Sequence, residues 1–179
     1  MFETVFLERL SEEDSRRAIE KPIKKSQSQL AFSAESIETI IKTSSGYPYF
    51  IRFICKEVFD SFIRQIESGI PKPRVPVEEI IKKLDVDFFS GRWGLLTDRQ
   101  RDLLNVVASL DHCSDHFTTK DVVAKSQEIL EKPFGSSQIT QLFDVLQRRG
   151  IIYRNRHGKY SFAVPLFDEF IKRQSEENS

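Results

Sequence analysis

The sequence predicts a mainly α-helical fold made of two parts. Apolar residues recur every three or four positions through most of its 179 residues, which is the spacing of helices with one buried face. Near the C-terminal end, two short runs rich in β-branched and aromatic residues instead flank a glycine-containing turn. Glycine and proline punctuate the periodic segments, so we expect short, defined corners between the helices.

The first part is expected to begin with one strand and one helix. Residues 2–7 are short, apolar and β-favouring, so they are predicted to form a strand. Ser11 with Asp14 three positions later is typical of a helix start. This helix is expected to run to about Glu20, because Pro22 follows and the residue before a proline is disfavoured in a helix.

A corner of defined shape is predicted where the second and third helices meet. Ser33 suits the N-cap of the second helix, and Gly46 can take the positive φ that a helix C-terminus favours. Pro48 suits the first turn of the third helix, where no backbone N–H is needed. The third helix is expected to run to about Ser68, with an apolar stripe formed by Phe50, Ile54, Val58, Phe62 and Ile66.

A proline-rich connector at residues 70–76 and a short helix at 77–84 follow. The connector is expected to be extended and to let the two parts of the chain move. We place the domain boundary near Gly94. The prediction is therefore a helical domain over residues 1–94, a second domain over 95–175 and a polar tail over 176–179.

The second domain is expected to open with three helices of similar design. Thr97 with Gln100, and Thr118 with Asp121, have the spacing of capping boxes, so helices should begin just after each threonine. Apolar residues at helical spacing predict a third helix over residues 138–149.

A β-hairpin and a last helix complete the second domain. The runs 151–154 and 160–163 flank a turn that contains Gly158, and Pro165 opens an apolar helical segment. Three helices followed by a hairpin form the winged-helix arrangement, which is a helix-turn-helix with a wing. The sequence thus predicts a mainly α protein in which a helical bundle precedes a winged-helix domain.

The corner sequence Gly46-Tyr47-Pro48 and the order of elements around it resemble a known family. Gly-x-Pro at this place is similar to the motif in the lid of STAND-type ATPases, which are relatives of the AAA+ machines, and a winged helix follows this lid in prokaryotic members. The opening strand, helix start and Pro22 resemble the exit from the last strand of an AAA+ core into its lid. The resemblance covers nearly the whole chain and implies that residues 1–10 are the end of that core.

The resemblance also implies a nucleotide-binding role for the corner. In the family, the proline packs against the adenine of a nucleotide that is held mainly by an upstream P-loop domain. Gly46, Tyr47, Pro48 and Arg52 are therefore the candidate nucleotide-binding residues. Arg52 is included because a lid arginine near a helix start senses the γ-phosphate in AAA+ relatives. The alternatives are a tight helix–helix corner without a ligand and, for Arg52, an ordinary surface position.

The sequence itself lacks the residues that hold phosphates and magnesium. None of its seven glycines belongs to a Gly-x-x-x-x-Gly-Lys-Ser/Thr motif, and no predicted strand ends in Asp-Glu. We therefore expect no catalytic residues and no ATP hydrolysis by this chain alone. ATP or ADP is expected only together with the core domain that the resemblance implies.

The hairpin region is the strongest candidate for binding double-stranded DNA. Five cations lie close together and no acidic residue occurs between Asp144 and Asp168; the cations are Arg148, Arg149, Arg154, Arg156 and Lys159. In a DNA-bound winged helix, the third helix enters the major groove and the wing contacts phosphates or the minor groove. Gln138 and Gln141 would lie on the exposed face of that helix, whereas Asp144 on the same face would be repelled.

One loop contains four residues of types that bind metals: His112, Cys113, Asp115 and His116. A structural zinc site usually needs two separated pairs of ligands, and the sequence shows no second pair. We therefore predict a solvated polar loop and no metal site.

The amino-acid composition narrows the possible classes of partner but does not identify one. Acidic and basic residues balance at 27 each, so net charge does not indicate a polyanionic partner. The two cysteines lie far apart in sequence, and no apolar run approaches the roughly 20 residues of a membrane span. A cytoplasmic protein without membrane contact is expected, and DNA, a protein partner or a second copy of the chain all stay open.

Two other functions also stay open. The chain could be a free-standing transcription regulator, in which the N-terminal helices dimerise and the winged helix binds an operator. It could also be a protein-interaction module whose interface is formed by its helices, which are rich in phenylalanine, at 15 residues.

Overall fold

The computed structural model describes residues 9–25, 31–155 and 158–177 of the chain. These residues are mainly helical and include a small two-stranded antiparallel sheet, so the predicted class is confirmed at that level. The strand predicted at residues 2–7 lies outside the described residues. None of the described helices is long and apolar enough to cross a membrane.

The chain divides into two units, Met1–Lys83 and Leu84–Ser179. The first unit is built on three helices that contact one another in pairs: α1 (Glu12–Lys25), α2 (Ala34–Ser44) and α3 (Pro48–Glu67). Ser33 caps α2 as predicted, since its side chain accepts the Ser36 N–H. Apolar side chains along the three helices are buried, among them Ile19, Ile40, Ile54, Val58 and Phe62.

Helix α1 is longer than its sequence indicated. The prediction that it stops near Glu20 is wrong, because it continues to Lys25 with Pro22 inside it. The missing N–H of Pro22 leaves the carbonyl of Ala18 without its usual helical donor. Both residues are exposed, so water can reach this part of the helix and bond that carbonyl.

The proline-rich connector is attached to α3 by Gln65. The Gln65 amide nitrogen donates to the Arg74 carbonyl at 2.8 Å, and the Gln65 side-chain oxygen accepts the Arg74 backbone N–H at 2.9 Å. One side chain thus satisfies both backbone groups of a residue outside regular secondary structure. The connector is therefore attached to the first unit at Arg74.

The predicted short helix is present as α4 (Val77–Leu84), and the helical backbone continues after it. A π-helical stretch occupies Asp85–Ser90, and α5 follows at Gly91–Gly94. No helix was predicted between the short helix and the domain boundary near Gly94, whereas the structure makes this stretch helical.

This π-helical stretch explains why the boundary between the units precedes the expected position near Gly94. The ring centroid of Phe89 lies 5.8 Å from that of Phe167 and 5.4 Å from that of Phe170. Asp85 also accepts two hydrogen bonds from the Arg173 guanidinium. Residues that were assigned to the end of the first domain therefore pack within the second unit.

The second unit contains four longer helices, α6 (Asp98–Ala108), α7 (Thr119–Ile129), α8 (Ser136–Arg148) and α9 (Phe167–Glu177). Both predicted capping boxes are confirmed, with Thr97 and Gln100 at α6 and Thr118 and Asp121 at α7. Helix α9 extends to Glu177, into the segment that was predicted as a polar tail.

The predicted hairpin is formed by β1 (Ile152–Arg154) and β2 (Tyr160–Phe162), which pair antiparallel. Phe117, just before α7, makes an isolated antiparallel bridge to Tyr160, with both N–H···O distances at 2.8 Å. The Tyr160 ring also packs on Phe143 of α8, with centroids 4.5 Å apart. Strand β2 is thereby tied to α8 and to the segment that leads into α7.

Candidate functional site

The corner between α2 and α3 is fixed by Gly46. Ser45 and Gly46 both have left-handed backbone conformations, with φ of +48° and +75°. The Gly46 carbonyl accepts the Leu10 N–H at 2.8 Å, and a Cβ on Gly46 would lie 2.7 Å from the Leu10 carbonyl oxygen. The positive φ predicted for Gly46 is confirmed. The close approach of Leu10 is a second reason for glycine here, and the sequence did not indicate it.

Tyr47 connects the same corner to the segment before α1. Its hydroxyl accepts a hydrogen bond from Arg9 Nε at 3.0 Å, and the Arg9 guanidinium carbon lies 5.1 Å from the ring centroid. The ring packs edge-on against Phe50, with centroids 6.4 Å apart. Tyr47 therefore bridges a surface arginine and the buried face of α3.

Helices α1 and α3 flank an open groove with a volume of about 500 Å³ in the first unit. Two of the four candidate residues, Pro48 and Arg52, line it, and their spacing of four places them on one side of α3. The rest of the lining is largely apolar and includes Ile19, Ile23, Phe32, Ile51 and Phe59. The contribution of α1 to this groove was not indicated by the sequence.

Two cations of α3 lie on this groove. Lys56 forms an ion pair with Asp60 at 2.9 Å, and the hydrogen bond to this carboxylate is the main cause that raises the pKa of Lys56. Arg52 is exposed and makes no hydrogen bond or ion pair with residues in the described part of the chain. Arg52 is therefore available to an anionic group of a ligand.

Cys55 belongs to the wall of the groove and is not placed for nucleophilic chemistry. Burial raises the pKa of the Cys55 thiol to about 11. The thiol therefore stays protonated near neutral pH, and the thiol form is neither a good nucleophile nor a metal ligand. Cys55 contributes a small apolar surface to the groove.

In the second unit, α8 presents a polar face to solvent. Gln138, Gln141 and Asp144 are exposed, as the sequence analysis expected, whereas Ile139, Phe143 and Leu146 are buried. Arg148, at the end of α8, is exposed and makes no ion pair or hydrogen bond with other described residues. The face thus combines two amides, one carboxylate and one cation.

Arg149 has a partner within its own unit. Its guanidinium donates to the Leu95 carbonyl and to Gln100 Oε1, the latter at 3.3 Å. These contacts tie the end of α8 to the start of α6. They give Arg149 a structural role that its place in the cation cluster did not suggest.

The three cations of the hairpin differ in their surroundings. Arg154 is exposed, with its guanidinium carbon 5.7 Å from the Tyr160 ring centroid. Lys159 Nζ lies 2.8 Å from His116 Nε2. Arg156 lies outside the described residues.

The loop at residues 111–116 is divided between solvent and core. His112, Asp115 and His116 line an open groove of about 720 Å³ beside α7. Cys113 is buried, which corrects the prediction of a wholly solvated loop, and its Sγ donates to Asp168 Oδ2 at 3.6 Å. Burial, together with the Asp168 carboxylate, raises the Cys113 pKa to about 11. Among the described residues, no group of three metal-ligand side chains is assembled.

Comparison with known proteins finds a family model that matches part of the chain and a solved structure with a similar fold. Residues 86–171 match the family described as "Domain of unknown function (DUF8462)". The fold is similar to that of the Walker-type ATPase PABY2304 of Pyrococcus abyssi, with a TM-score of 0.56 and 14% sequence identity. This similarity covers 92% of the present chain but 42% of the ATPase chain, so the present chain spans about two fifths of that protein's length. No curated protein matches the chain in sequence.

The two reasons for glycine at position 46 can be separated by substitution. Gly46 and Gly69 both have positive φ, +75° and +84°, but a Cβ on Gly69 would meet no atom within 4 Å. We expect Gly69→Ala to lower the free energy of unfolding by about 1 kcal/mol through backbone strain alone. Gly46→Ala should lower it by about 3 kcal/mol, because the new Cβ also displaces the Leu10 carbonyl.

Hydrogen exchange of buried α3 amides is the appropriate measurement, because it reports on the stability of the first unit itself. An equal loss of protection in the two variants would show that the contact with Leu10 does not constrain the corner.

Proposed function

We propose that this chain acts as the helical lid and winged-helix part of an ATP-binding protein, in which an upstream P-loop core holds the nucleotide. The observation that carries the proposal is the groove between α1 and α3. Pro48 and Arg52 line it together, and these are the residues that the resemblance to STAND-type ATPases associates with the base and the phosphates. The fold similarity to a Walker-type ATPase, over 92% of this chain, supports the same assignment.

The residues of the groove fit part of a nucleotide. An apolar wall suits the flat face of a base, and a guanidinium suits phosphate oxygens. In this proposal Pro48 packs against the base, Arg52 contacts the phosphates, and α1 and α3 exclude water from one side of the ligand. Gly46 and Tyr47 act indirectly by fixing the corner from which α3 starts. Hydrolysis is not assigned to residues of this chain.

For the second unit we propose binding to double-stranded DNA in a manner that depends on the nucleotide state. The order of α6, the Phe117 bridge, α7, α8 and the hairpin fits a winged helix, in which the third helix reads the major groove. Gln138 and Gln141 would face the bases, and Arg148 and Arg154 would contact phosphates. Arg149 and Lys159 have partners within the unit, so they would contribute less directly to DNA binding.

Replacing Pro48 tests the nucleotide site. We expect Pro48→Ala in the natural protein to weaken ADP binding about three- to tenfold, because the base loses an apolar contact of one to two methylene groups. Isothermal titration calorimetry with ADP is the measurement. Pro76→Ala is the matched control, since Pro76 immediately precedes α4 in the same unit but does not line this groove. The absence of nucleotide binding by the unsubstituted protein would overturn the proposal.

Replacing the two outward cations tests the DNA interface. We expect the double variant Arg148→Gln and Arg154→Gln to bind double-stranded DNA more weakly at every salt concentration. The slope of log affinity against log salt should become shallower by about 2, one for each lost phosphate contact. Fluorescence anisotropy gives both quantities, and Lys172→Gln, an exposed cation on α9, is the control. Unchanged binding, or a salt-insensitive failure of the unsubstituted protein to bind DNA, would favour a protein partner instead.

A further inference from the structure

The segment that leads into α1 is fastened to the Gly46 corner at two adjacent points. The first is made by the backbone, where Leu10 N–H donates to the Gly46 carbonyl at 2.8 Å. The second is made by side chains, where Arg9 Nε donates to the Tyr47 hydroxyl at 3.0 Å. Consecutive residues of one segment therefore hold consecutive residues of the corner.

Tyr47 also carries the first hydrogen bond of α3. Its carbonyl accepts the Ile51 N–H at 2.9 Å, and Tyr47 is the N-cap residue that precedes Pro48. The side chain of Tyr47 is thus joined to the segment before α1, while its backbone is joined to the first turn of α3. A shift of Tyr47 would be transmitted directly to Pro48, its neighbour, and to Arg52 one turn later.

On the buried side of the corner, the Ser15 side chain makes no hydrogen bond of this kind to a described residue. The Ser15 hydroxyl lies 3.6 Å from the position that a Gly46 Cβ would take. It is buried and has no hydrogen-bond partner in the described part of the chain. On its outer side, the corner does have a side-chain hydrogen bond, between Arg9 and Tyr47.

We propose that Arg9 and Tyr47 are positioning residues for the α1–α3 groove. Their hydrogen bond holds the first turn of α3, and with it Pro48 and Arg52, at a fixed place relative to the segment before α1. The effect on a ligand rests on the proposed nucleotide-binding function, whereas the effect on the corner does not. A conservative change at either residue therefore loosens the groove without removing any group that contacts the nucleotide.

Tyr47→Phe in the natural protein is the main test, because it removes the hydroxyl and keeps the ring against Phe50. We expect the Leu10 and Ile51 amides to exchange about three- to tenfold faster, because one charge-assisted hydrogen bond at an exposed site is lost. ADP should dissociate faster by a similar factor. Arg9→Lys, which keeps the charge but loses the planar donor, should reproduce both changes.

Tyr49→Phe is the matched control, because Tyr49 also contacts the Phe50 ring but is 64% exposed. This variant should change neither the exchange rates of the Leu10 and Ile51 amides nor the dissociation rate of ADP. Unchanged exchange at Leu10 and Ile51 in Tyr47→Phe would overturn the positioning role. If Tyr47→Phe exchanges faster but ADP dissociates at the same rate, in a protein that does bind ADP, the positioning role does not affect the ligand. Faster exchange in a protein that binds no ADP at all would uphold the positioning role and overturn the proposed function alone.

Discussion

The contact between Gly46 and the carbonyl of Leu10 is the constraint on which the first unit depends. A side chain at position 46 would place its Cβ 2.7 Å from that oxygen, so the backbone can approach this closely only with glycine. The approach brings the segment before α1, the end of α2 and the start of α3 to one point. Because α3 leaves that point in a fixed direction, Pro48 and Arg52 fall on the wall of the α1–α3 groove.

Aromatic packing has the corresponding role in the second unit. Tyr160 of β2 bonds to Phe117 before α7 and packs on Phe143 of α8, so the hairpin is set against the helix whose polar face is exposed. Hydrogen bonding distinguishes the two cations at the end of α8. Arg149 is drawn to the Leu95 carbonyl, whereas Arg148, one position earlier, stays in solvent. A cation cluster in the sequence thus becomes a structural contact and a smaller group of exposed cations.

The features that the sequence predicted correctly are those with local causes. The two capping boxes and the positive φ of Gly46 depend on residues three or fewer positions apart. The features it missed depend on contacts between distant residues, such as Arg149 with Leu95 and Phe89 with Phe167. For the candidate site, helical spacing was sufficient to place Pro48 and Arg52 on one side of α3. The opposite wall, contributed by α1, depends on tertiary packing that no short motif encodes.

In our proposal the chain works as the lid and winged-helix part of a longer ATP-binding protein. The decisive measurement is the mass of the natural polypeptide in its own cells, detected with an antibody raised against this chain. We expect a band larger than 20.8 kDa by the mass of a core of roughly 150–250 residues. A single band at 20.8 kDa would contradict it, because no upstream core would then be covalently joined to the lid.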